Sequence, residues 1–66
     1  MQIKINGNTE TIEESISLAN LLDKIHQSNS KIAVEINGNL IIRSDYDNCF
    51  IKENDQIEIV HAIGGG

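Results

Sequence analysis

Only one stretch of this chain repeats its apolar residues at helical spacing. Leu18, Leu21, Leu22 and Ile25 stand at i, i+3, i+4 and i+7, which places them on one stripe of an α-helix. Ser17, just before them, suits an N-cap because its hydroxyl can accept a free N–H of the first turn. Asn20, Asp23, Lys24 and Gln27 fall on the wet side, and Ser28-Asn29-Ser30 is predicted to end the helix. Burying the four stripe residues stabilises the fold by at most about 6–12 kcal/mol, at about 1.5–3 kcal/mol each. The rest of the chain has to supply the surface that buries them.

That rest reads as strand. Met1, Ile3 and Ile5 alternate with Gln2, Lys4 and Asn6, and Asn6-Gly7 supplies the left-handed conformers of a tight hairpin. Thr9 to Glu13 is the expected return strand, with Ile12 its one large apolar residue. Ile32, Val34 and Ile36 alternate with Ala33 and Glu35, Asn37-Gly38 is a second turn, and Leu40-Ile41-Ile42 resumes extended structure. Ile-Asn-Gly-Asn thus occurs twice, at 5–8 and 36–39, between flanks that do not match; shared hairpin chemistry explains it better than duplication. Ser44 to Asn48 is polar and irregular, Cys49-Phe50-Ile51 reads as a short strand, and Glu53-Asn54-Asp55 as a turn. Gln56 to Ile63 is the last strand, with Ile57 and Ile59 on one face and Glu58, Val60 and Ala62 on the other.

Thirteen of the 26 apolar residues are isoleucine and there is no proline, a β-branched bias that fits sheet. The 66 residues suffice for one core. The fold class is therefore α+β: a mixed sheet of four to five strands packed on one helix. This element order permits the ubiquitin-like β-grasp, in which first and last strands pair in the middle. The expected organisation is one domain over 1–63 and a flexible C-terminal glycine tail over 64–66.

Charge and cysteine narrow the function classes. Five basic against ten acidic residues give −5, so neither nucleic acid nor an anionic membrane surface is expected as a partner. A positively charged protein partner is favoured. The one cysteine, Cys49, excludes an internal disulfide and a multi-cysteine metal site. With no signal-like or membrane-spanning apolar run, the expected location is cytoplasmic.

No catalytic constellation stands out. Neither His26 nor His61 belongs to a motif with a serine or cysteine nucleophile. Asp45, Asp47, Glu53 and Asp55 lack the ligand spacing of a calcium loop and read as solvated turns; Glu10, Glu13 and Glu14 read as an exposed acidic edge. Cys49 reads as a small buried hydrophobe beside Phe50, with no flanking cation to activate it. Neither a catalytic residue nor a metal site is expected.

What stands out is the tail. An apolar strand runs directly into Gly64, Gly65 and Gly66. A carboxylate on a terminal glycine is sterically naked and can enter a channel that any side chain would block. From Ala62 to Gly66 the chain can reach about 17 Å, at about 3.4 Å per residue. Such a carboxylate becomes reactive once ATP adenylates it, after which a thiolate or persulfide can attack.

With this tail, Met1-Gln2-Ile3-Lys4-Ile5-Asn6-Gly7, Leu18-Ala19-Asn20-Leu21-Leu22, Ala33-Val34-Glu35-Ile36-Asn37-Gly38, Ile41-Ile42-Arg43 and Asn54-Asp55-Gln56-Ile57-Glu58-Ile59-Val60 resemble the sulfur carriers of thiamine biosynthesis. The resemblance covers essentially the whole chain. It implies a β-grasp fold and a carrier rather than an enzyme. Gly66 would be the modified residue, adenylated and then converted to a thiocarboxylate, with Gly64 and Gly65 as its tail. The implied partners are an E1-like adenylyltransferase, thiazole synthase, and a cysteine desulfurase or sulfur relay protein. ATP would be used by the activating enzyme; the chain itself would bind no cofactor. Val60, Ala62 and Ile63 are expected to form an apolar docking patch beside the tail. The small subunit of molybdopterin synthase and the ubiquitin-like protein modifiers share fold and ending and are the alternative readings.

Overall fold

Both Asn-Gly pairs turn the chain as their chemistry favours. Asn6 and Gly7 have φ of 51° and 84°, and Asn37 and Gly38 have 53° and 85°, the two successive positive angles that a type I′ hairpin requires. In the computed structural model, which describes residues 1–28 and 31–61, the first turn joins β1 (Gln2–Ile5) to β2 (Asn8–Thr11). The second joins β3 (Ile32–Ile36) to β4 (Asn39–Ile41). Between the hairpins in sequence lies α1 (Leu18–Lys24), and after them comes β5 (Gln56–His61).

β5 fills the gap between the two hairpins. It runs parallel to β1, with Lys4 opposite Gln56 and Ile5 opposite Ile57, and antiparallel to β3, from Ile32 opposite His61 to Ile36 opposite Ile57. The order β2-β1-β5-β3-β4 is a five-stranded mixed sheet, the β-grasp arrangement. α1 lies on one face. Ile3, Val34, Ile36, Ile57 and Ile59 point to it and bury Leu18, Leu21 and Leu22, together with Ile12, Ile51 and Tyr46.

Ser17 caps the helix, accepting the Asn20 N–H on Oγ at 3.1 Å. The other end departs from the sequence reading. The helix stops at Lys24, not at Ser28-Asn29-Ser30, of which Asn29 and Ser30 lie outside the described residues. His26 takes φ 61°; its N–H donates to Asp23 O at 3.2 Å and the Gln27 N–H to Leu22 O at 2.8 Å. This pair of bonds is a Schellman closure, made without the glycine that usually announces it. Ile25 is left half-buried at the end of the stripe.

Three further readings are corrected. Cys49-Phe50-Ile51 forms no strand; it makes a single bridge, Phe50 to Ser17. Leu18 N–H donates to Cys49 O at 2.7 Å and Ile51 N–H to Ile16 O at 2.8 Å, so the segment braces the chain entering the helix. Within the irregular 44–48 segment, a 3-10 turn over Arg43–Asp45 tucks Tyr46 into the core, with the Arg43 guanidinium 5.3 Å from its ring centre. The return strand begins at Asn8 and ends at Thr11, earlier than expected, and Ile12 turns inward beyond it. Ala62 and Ile63, read as the end of the last strand, lie outside the described residues, as does the domain–tail boundary at 63/64. Among the described residues no helix is long and apolar enough to cross a membrane.

Candidate functional site

The helix covers one face of the sheet and leaves the other open. On that open face the alternation of β5 presents Glu58 and Val60, that of β3 presents Ala33 and Glu35, and β4 presents Leu40. Register sets them side by side: Val60 opposite Ala33, Glu58 opposite Glu35, and Glu35 opposite Leu40. Ile42, one step past β4 and still extended, follows Leu40 to the outer side. Leu40 is 64% exposed, Ile42 58% and Val60 58%. Large apolar side chains gathered on one open face mark an interaction surface better than scattered ones do.

The last strand is tied down on both flanks. Where β1 turns away, Asn6 continues its ladder with a side chain: Asn6 N–H donates to Ile57 O at 2.8 Å, Ile59 N–H donates to Asn6 Oδ1 at 2.7 Å, and Asn6 Nδ2 donates to Ile59 O at 3.3 Å. Across β3, Asn37 does the equivalent at the start of β5. Its Oδ1 accepts the Gln56 N–H at 3.0 Å, and its Nδ2 donates to Asp55 Oδ1 at 3.0 Å. At the end of β5, His61 Nε2 donates to Gln27 Oε1 at 2.6 Å. The strand leading toward the tail is thus fixed from Gln56 to His61.

Of the docking residues expected from sequence, the structure places Val60 on the open face, immediately before His61. Ala62, Ile63 and the tail Gly64, Gly65 and Gly66 lie outside the described residues. Sequence reasoning missed Leu40 and Ile42. The signal was incomplete: in the run Leu40-Ile41-Ile42, period-two geometry separates the middle residue from its neighbours, but pairing with β3 is what turns Ile41 to the core.

The remaining candidates separate rather than converge. Cys49 is half-buried against the core beside an exposed Phe50. Burial pushes its thiol pKa up, and Asp55 and Asp45 push it further against the opposing pull of Lys52. That is the reverse of what a nucleophilic thiol needs. His26 closes the helix and His61 bonds Gln27. Asp55, read as part of a solvated turn, is instead 9% exposed; its Oδ2 accepts the Lys52 N–H at 2.8 Å while Oδ1 holds Asn37. Among the described residues no group of three or more His, Cys, Asp or Glu side chains could hold a metal ion.

Comparisons with known proteins bear on the family and the fold. The model of the ThiS family matches residues 3–66. A thiazole synthase of Magnetococcus marinus is 39% identical over 66 residues, all of this chain but 20% of that protein; the chain therefore spans about a fifth of that relative. The ycf40 protein of Porphyra purpurea is 33% identical over 66 residues, 93% of its length. The crystal structure of a thiamine biosynthesis protein from Geobacter metallireducens superposes with a TM-score of 0.88 at 29% identity, with both chains covered in full.

Proposed function

Because the chain belongs to the ThiS family, we propose that it acts as a sulfur carrier whose terminal glycine, Gly66, is the point of attachment. The observation that supports this reading is the family match, which runs through the three glycines to residue 66. The open apolar face beside the end of β5 adds a surface on which a processing enzyme can seat the folded body.

The chemistry follows from an inert carboxylate. A Gly66 oxygen attacks the α-phosphorus of ATP on an E1-like adenylyltransferase; pyrophosphate leaves and an acyl adenylate forms. A persulfide sulfur, supplied through a cysteine desulfurase or relay protein, attacks the acyl carbon and expels AMP, giving an acyl disulfide. A second thiol of the sulfur-delivering enzyme then cleaves the S–S bond, leaving a thiocarboxylate on Gly66 and a disulfide on that enzyme. Thiazole synthase takes the sulfur; the likeness to proteins of that name favours the thiamine route over the molybdopterin one. No side chain of this protein acts in these steps, so the chain is a co-substrate and not a catalyst, and the ATP belongs to its partner. Its own residues fold, dock and present the tail, proposed to begin at Gly64.

Extension by one residue beyond Gly66 tests this. With the adenylyltransferase, ATP, cysteine and the desulfurase, the native chain should gain one oxygen-to-sulfur exchange at Gly66 in its intact mass. The extended chain should keep its melting temperature and gain nothing. Thiolation of the extended chain without prior trimming would overturn the reading.

A further inference from the structure

Glu35 and Glu58 stand directly opposite one another on the open face. Facing positions of an antiparallel pair bring Cβ atoms to about 4.5–5.5 Å, where like charges cost stability. A chain that already carries −5 places two carboxylates where two glutamines would fold without that repulsion. One flank of the pair is apolar: Leu40 lies across from Glu35, and the next outward-facing rung holds Ala33 and Val60, with Ile42 beyond; on the other flank Asn37, Gly38 and Gln56 line the shallow concavity that the two carboxylates share. The position also matters. The chain leaves β5 three residues after Glu58 and has five more residues to Gly66, a reach of about 17 Å. A partner that receives Gly66 can therefore also reach this face.

We propose that the open face docks the activating adenylyltransferase through a cationic side chain, an arginine, seated between Glu35 and Glu58 and flanked on one side by contacts to Leu40, Ile42 and Val60. This rests on the sulfur-carrier reading. A guanidinium is planar, permanently charged and carries five donors, so it can serve two carboxylates at once. Apolar contacts along that flank remove water from one side of the ion pair, which strengthens the attraction. The repulsion held in the free protein is relieved when the cation arrives, so the same pair lowers stability alone and raises affinity in the complex.

The test uses Glu35→Gln, Glu58→Gln and the double variant, each measured for melting temperature and, by calorimetry, for binding to the purified adenylyltransferase at low and high salt. The double variant should melt no lower than the native chain and bind about tenfold more weakly at low ionic strength. That gap should narrow in high salt. Affinity unchanged within about twofold at both salts, while the native chain is still thiolated at Gly66, overturns the docking proposal alone. A native chain that neither binds nor is activated removes the sulfur-carrier reading and this inference with it.

Discussion

Residues 5–8 and 36–39 are the same tetrapeptide in the same turn, and the asparagine of each reaches β5 from opposite sides. Asn6 meets only backbone, holding Ile59 by its N–H and its carbonyl. Asn37 meets one backbone N–H and one carboxylate, that of Asp55, which in turn accepts the Lys52 N–H. The first clamp is a strand extension near the tail. The second is a small polar network that also closes the turn from Lys52 to Asp55. Turn geometry is local and follows from Asn-Gly; what the asparagine does afterwards depends on what passes beside it.

The sharpest way to break the equivalence is to replace each amide by a carboxylate. Asn37→Asp sets two carboxylates on one another and should cost about 2–3 kcal/mol in urea unfolding. Asn6→Asp keeps the acceptor for the Ile59 N–H and loses only the longer bond, so it should cost less than about 1 kcal/mol. The double exchange Asn37→Asp/Asp55→Asn restores an amide facing a carboxylate and should recover most of the loss. Equal costs for the two single variants would show that the Asp55 contact contributes nothing. Next come the glycines. Gly7 and Gly38 share φ of 84° and 85° with open space where a Cβ would stand. Alanine at either should cost the same, about 1–2 kcal/mol from backbone strain alone; a clear inequality would mean that the turns are less alike than their angles. The smallest effect is a rate. Burial raises the Cys49 pKa, so iodoacetamide should modify the folded protein more slowly than a free thiol at any pH below that raised value, the rate climbing with pH as thiolate forms. Asn37→Asp should speed this modification by about threefold or more as the loop loosens, and Asn6→Asp should leave it unchanged.

What could be read in advance follows the range of each interaction. The helix start, both hairpins and the inward face of β3 rest on neighbours within a few residues, and Ser17, the Asn-Gly pairs and Ile32-Val34-Ile36 announced them. The parallel pairing of β1 with β5 joins residues more than fifty positions apart; only the element order and the resemblance pointed to it. The helix end was hidden because His26 does the work of a glycine. Cys49-Phe50-Ile51 looked like a strand because its apolar run is there for other reasons: Ile51 fills the core, while Phe50 stays outside at 56% exposure. Of the site, Val60 could be assigned to the outer face from its place in the last strand. The contribution of Leu40 and Ile42 required knowing which strand lies next to β3 and which way its middle residue turns.

The central place of β5 has a consequence for how the molecule is made. Of the five strands, the one that joins the two hairpins is the last to leave the ribosome, and before it emerges each hairpin has a free edge and half a core. Most of the sheet's long-range pairing forms at once and late, a route that slows folding. A nascent chain broken off before residue 56 has no strand to bridge Ile3 and Val34, so its two hairpins stay unjoined.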